Sequence, residues 1–117
     1  MKLKHYKDVA LKEEMAAQGA GIRWLLSERD GETGMAMRVI EIAPGGQTPD
    51  HSHPWEHQVF ILRGAGRVVS GGEEKRFGPG DAIFIAPGER HIFHNDSAGA
   101  VEFVCMIPAG AAKAHGH

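Results

Sequence analysis

Glycine and proline divide this chain into apolar runs too short for long helices. Sixteen glycines and six prolines fall among 117 residues, and most stand between short stretches rich in β-branched and apolar side chains. Six such stretches read as strands: IRWLLS (22–27), MAMRVIEI (35–42), HQVFILRG (57–64), AIFIA (82–86), HIFHN (91–95) and VEFVCMI (101–107). RVVSGGEEKRF (67–77) reads as a hairpin turning at Gly71-Gly72. ERDGETG (28–34), APGGQTPD (43–50) and GPGD (78–81) carry the residues of turns and loops. DVALKEEMAAQ (8–18) reads as the one credible helix, or else as a turn and loose coil, and Gly19 and Gly21 end it. The pattern is that of an all-β barrel or sandwich.

The bulk composition supports one domain. A chain of 117 residues can bury one core. We expect an N-terminal arm over 1–21, a barrel over 22–108 and a flexible C-terminal tail over 109–117. A net charge of -2 without a basic stripe argues against nucleic acid as the main partner. No apolar run reaches membrane-spanning length, and MKLKHYKDVALKEE has no apolar signal-peptide core. A lone cysteine, Cys105, cannot form an internal disulfide. These features point to a cytoplasmic protein with no membrane partner. VFIL, AIFIA and VEFVCMI are apolar at both parities, so both faces of their sheet call for cover. A second subunit or the N-terminal segment would supply it, and a homodimer is expected.

Histidine placement carries the chemistry. His51, His53 and His57 lie in GGQTPDHSHPWEHQVFILRG, and His91 lies in GPGDAIFIAPGERHIFHN. Neutral imidazole is the commonest side-chain metal ligand. Even offsets place His51, His53 and His57 on one face of an extended chain, weakened where Pro54-Trp55-Glu56 interrupts it. In the later strand His91, Phe93 and Asn95 share one face, and Ile92 and His94 the other. A divalent ion held by His51, His53, His57 and His91 follows. His5, His94, His115 and His117 read as ordinary surface or tail histidines. His53-Pro-Trp-Glu56-His57 matches a zinc-protease string, but that chemistry needs a helix, which Pro54 opposes. No serine has a nucleophile context, and no glycine cluster spells a phosphate loop. Cys105 shares the parity of Phe103 and is expected to face inward.

Gly46, His51, His53 and Gly64 match the first motif of the cupins, and Gly80, Gly88, His91 and Asn95 match the second; Pro87 stands one place later than usual. The chain therefore resembles a cupin over about residues 22–108. HSHPWEH, with IRWLL before it and VEFVCMIP after, is similar to small single-domain cupins that bind manganese through four histidines. The resemblance implies a dimeric double-stranded β-helix (jelly-roll) barrel with the ion inside its mouth. Many cupins place a glutamate at or beside position 57. Here His57 and Gln58 occupy the two candidate places, parity and the four-histidine group favour His57, and Gln58 is the alternative.

Four neutral ligands leave a divalent charge uncompensated and an octahedral ion with two open positions, which suits an anionic or oxygenated small molecule. Imidazole alone fits zinc, copper, iron or nickel. Manganese as first choice comes from the resemblance, with iron next. Arg38, Phe103 and Cys105 are candidate pocket residues. The leading expectation is a metalloenzyme of oxygenase type, with isomerase, lyase or decarboxylase chemistry behind it. A non-catalytic metal or small-ligand sensor and a storage-like cupin with a structural metal are the competing classes.

Overall fold

A computed structural model of the chain describes residues 1–13, 18–31 and 34–111. Among the described residues nine strands form one curled sheet: β1 (Lys12–Glu13), β2 (Gln18–Leu26), β3 (Met35–Gln47), β4 (His57–Arg63), β5 (Gly66–Ser70), β6 (Glu73–Phe77), β7 (Ala82–Ile85), β8 (His91–His94) and β9 (Val101–Pro108). The order is β6-β5-β8-β3-β9-β4-β7, with β2 also on β3 and β1 on β2. The sheet curls into a single β-barrel, one of the two all-β forms that the strand pattern allowed and the one that the resemblance implied.

The barrel closes because β3 belongs to both of its walls. Residues 35–42 pair antiparallel with β9, and Gln47 pairs with His94 of β8. Alternation fills the interior. Ala36, Ile40 and Ile42 of β3, Val59 and Ile61 of β4, Phe93 of β8, and Val101, Phe103 and Ile107 of β9 are buried in one apolar cluster. Gly64, which follows β4, has a φ of +87°, and a Cβ there would stand 2.5 Å from the Ala100 carbonyl oxygen. Only glycine permits this approach of the two chain segments.

Two sequence expectations need correction. No helix occupies the described part of 8–18: Tyr6–Asp8 is a 3-10 turn, Lys12–Glu13 is strand, and Gln18 already belongs to β2. Residues 14–17 lie outside the described residues. Helical composition is a weak prior, and pairing along the free edge of β3 outweighs it. APGGQTPD is not wholly loop either, since β3 continues through Gln47, where it pairs with both Gln18 and His94. Of the expected tail, 109–111 form a helical turn and 112–117 lie outside the described residues, with His115 and His117.

The outer wall is covered in part by the N-terminal segment. Tyr6 donates its hydroxyl to the Glu102 carboxylate at 3.0 Å, and Arg63 pairs with the same carboxylate at 3.0 Å. Arg23 donates to the Val9 carbonyl at 2.6 Å. The wall beyond remains open: Phe60, Leu62 and Phe84 are exposed on the outer side of β4 and β7. Among the described residues no helix is long and apolar enough to cross a membrane.

Asn95 ties the two walls together at the end of β8. Its buried amide donates to the Ile42 carbonyl at 2.9 Å and the Gly99 carbonyl at 2.8 Å, and its oxygen accepts from the Ser97 amide and hydroxyl. Truncation would remove all four of these hydrogen bonds. Asn95→Ala is expected to lower the unfolding free energy by about 2–4 kcal/mol. Urea denaturation of the variant beside the parent measures this, and an unchanged midpoint would refute the tie.

Candidate metal centre

The four histidines singled out by spacing come from three elements that the fold joins. His57 opens β4 and His91 opens β8, while His51 and His53 stand on the connection from β3 to β4. That connection is zipped to the approach of β8. Thr48 donates its amide to the Phe93 carbonyl at 2.9 Å, His91 donates to the His51 carbonyl at 3.1 Å, and Gly88 donates to the His53 carbonyl at 2.6 Å. The Thr48 hydroxyl accepts the Phe93 amide at 2.9 Å. Gly88 sits at a φ of +78°, which lets the Pro87-Gly88 turn present its N–H to His53.

This zipper stacks the imidazoles against one another. Ring nitrogens of His51, His53 and His91 lie within 4.8 Å of one another, a group that could hold a metal ion. His57 adjoins it: its Nε2 is 3.1 Å from His53 Nδ1, and its ring centroid is 4.8 Å from that of His91. Two nitrogens bound cis on one octahedral ion stand about 3.0 Å apart when each bond is near 2.1 Å. The His53–His57 spacing matches that value. His53 is also stacked on Trp55, with centroids 4.5 Å apart.

Hydrogen bonds outside the cluster set the ring orientations. His91 donates Nδ1–H to the Glu89 carbonyl at 2.9 Å, so Nε2 keeps its lone pair for the cluster. His57 Nδ1 faces Cys105 Sγ at 3.6 Å, and Arg38 Nη2 donates to the same sulfur at 3.5 Å. With the hydrogen of His57 on Nδ1, its Nε2 is likewise presented inward. The Glu89 carboxylate is committed elsewhere, accepting from the Ala86 amide and the Ser70 hydroxyl.

Electrostatics keep His57 and His91 neutral. Burial, then the neighbouring His91, Arg38, His53 and His51, lower the pKa of His57 to about 3. Burial lowers that of His91 as well, against the opposing hydrogen bond to Glu89. Uncharged, inward-facing imidazoles are what a divalent ion requires, and the residues present fit one.

The remaining sequence candidates fall on both sides of the wall. Arg38, Phe103 and Cys105 are buried and line a cavity that opens to solvent, together with His51, His57 and His91. Gln58 is exposed on the outer side, between Phe84 and Met106 of the flanking strands, and donates to Glu56. His94 stands half-buried on the opposite parity to His91 and pairs with Gln47 and Arg67. Sequence reading did not find the Trp24 ring, over which the Arg38 guanidinium lies at 5.5 Å. Their direct register across β2 and β3 becomes visible only with the pairing.

A cupin domain profile matches residues 38–107, the span from Arg38 to the end of β9. The chain belongs to the cupin family. This cupin is 34% identical over 80 residues to the tetracenomycin polyketide synthase protein TcmJ of Streptomyces glaucescens, a match covering 67% of this chain and 54% of that protein. It is 32% identical over 53 residues to an (R)-mandelonitrile lyase of Granulicella tundricola, covering 44% and 40% of the two chains. The chain thus spans about half the length of the curated relatives it matches. Its structure superposes on the polyketide cyclase RemF of Streptomyces resistomycificus with a TM-score of 0.87 and 34% identity, over 93% of this chain and 80% of that one.

The neutral histidines make the metal-free cupin acid-sensitive. His57 stays uncharged in the fold down to about pH 3, whereas in the unfolded chain it gains a proton near 6.5. The unfolded state then binds more protons between those values, so stability falls as pH drops through that window. Melting temperatures of chelator-treated protein should decline from about pH 6.5 to 5, above the carboxylate range, and His57→Gln should reduce the slope. A flat profile over that interval would contradict the assignment.

Proposed function

We propose that this cupin is a metal-dependent enzyme that acts on a small, oxygenated, enolisable molecule, with ring-forming carbon–carbon chemistry as its reaction class. One observation carries the reading. Four imidazoles converge beside an apolar cavity in a chain 34% identical, over 93% of its length, to a polyketide cyclase. His51, His53, His57 and His91 would hold the ion, with manganese the first choice and iron the second. Bound there, a divalent ion would supply Lewis acidity toward a substrate carbonyl. The chain's own residues supply the setting. Ile22, Ile40, Val59 and Phe103 form an apolar wall. Cys105 and the Glu89 carbonyl hold His57 and His91 in the tautomer that faces inward.

A second reading is oxygenation. An all-imidazole site with a redox-active ion also suits dioxygen, and the same cavity would take the organic substrate. The two readings differ in their need for oxygen.

We also infer that a second copy of the chain covers the outer wall. Exposed Phe60 stands between Ala82 and Val104, and exposed Phe84 stands in the row of Gln58 and Met106, across three paired strands. Large exposed apolar side chains on one outer wall are what an isologous dimer buries.

The functional test begins with metal content. Protein loaded with manganese and desalted should retain bound metal, His91→Ala should lose it, and His57→Ala should lose it while Gln58→Ala does not. Retention by His57→Ala with loss by Gln58→Ala would move the fourth ligand. A linear β-triketone offered to the loaded protein should cyclise at equal rates in air and under nitrogen. Turnover only in air would replace cyclisation by oxygenation. Sedimentation should show a dimer that Phe60→Glu with Phe84→Glu converts to a folded monomer, and a monomeric parent would refute the interface.

A further inference from the structure

Arg38 breaks the pattern of the strand that carries it. The other inward-facing residues along that part of β3 are Ala36, Ile40 and Ile42, all buried and apolar. Arg38 is itself 3% exposed. Its guanidinium lies over the Trp24 ring, and Nη2 donates to Cys105 Sγ. Nε and Nη1 are buried and have no hydrogen-bond partner. No carboxylate pairs with it among the described residues, and Arg38 is the one side chain of fixed charge among those lining the cavity. A guanidinium is always charged, and burying one without a counter-charge is unfavourable unless a partner arrives. A sulfur contact and a ring face do not neutralise it.

The cavity around Arg38 indicates what that partner is. Ile22, Ile40, Val59 and Phe103 make its surroundings apolar, and Trp24 fixes the guanidinium as a flat plate. Neutral histidines contribute no negative charge, and the lining contains no acidic side chain. A ligand that satisfies all of this has one planar oxyanion on an apolar, preferably aromatic, skeleton. We propose that Arg38 is a specificity-determining residue that anchors the oxyanion of such a ligand, an enolate, phenolate or carboxylate, through Nε and Nη1. The assignment rests on the reading of this cavity as the substrate site, and it narrows the substrate class to anions. Trp24 and Cys105 act through Arg38 as positioning residues.

The experiment compares 2-naphthoate with its neutral isostere 2-naphthamide by calorimetry on the full-length protein, both manganese-loaded and chelator-treated. A buried charge-assisted contact should favour the anion by about tenfold or more. Arg38→Gln should abolish that preference, lowering naphthoate affinity more than naphthamide affinity, with metal content retained. Arg38→Lys, which keeps the charge but not the planar fork, should restore part of it. Circular dichroism of both variants guards against misfolding, and the parent protein's naphthoate-to-naphthamide ratio stands without any variant. An equal ratio in the parent, or a full anion preference in folded Arg38→Gln, overturns the proposal. The two readings fail separately. Absence of bound metal in every preparation refutes the metal centre, whereas anion preference in chelator-treated protein still supports Arg38. Anion preference seen only with manganese bound assigns the anchor to the ion and refutes Arg38.

Discussion

The pairing of residues 48–53 with residues 88–93 is the constraint on which the rest of this molecule depends. Three backbone hydrogen bonds, at Thr48–Phe93, His51–His91 and His53–Gly88, bring together two segments some forty residues apart in the chain. Each bond satisfies a backbone group that the barrel would otherwise bury unpaired. The same bonds set the spacing of the imidazoles. Long-range closure of this kind also fixes which wall of the barrel faces the cavity, because a shift of one residue would turn His91 outward and His94 inward.

Around that closure the interior is apolar, with one cationic exception. Burial holds His57 and His91 neutral, so their nitrogens stand ready as ligands. Arg38 keeps its charge because guanidinium does not give up its proton. The cavity therefore pairs uncharged ligating nitrogens with a fixed cation and no acid. A site of that composition discriminates by charge as well as by shape, which suits the ionised forms of oxygenated carbon skeletons. Cys105 sits between the two parts, in contact with both Arg38 and His57, and links the anion-binding side of the cavity to the histidine side.

Most of the architecture was legible because strand periodicity survives in a small barrel. His91, Phe93 and Asn95 alternate with Ile92 and His94, and their burial follows that alternation. The Gly71-Gly72 hairpin is where the dipeptide places it, between β5 and β6. The failures share a cause. Residues 8–13 and 18 were read from local composition, yet Lys12 and Glu13 are held by pairing with β2 and Gln18 by pairing with β3. Residues 43–47 carry proline and two glycines, and they extend β3 because Gln47 has partners on both sides. Neither partner is local, so neither left a signal in the segment itself.

Sequence alone determined the alternation of inward and outward side chains, the positions of the turns and the identity of the histidines that could meet, because a pleated strand has a period of two and glycine or proline interrupts it. Tertiary structure decided the rest. It set His57 against His53 and Cys105, turned Gln58 to the outer face, and laid Arg38 over Trp24 without a carboxylate partner. Those relations depend on register between strands distant in the chain, and register is a property of the closed barrel rather than of any one segment.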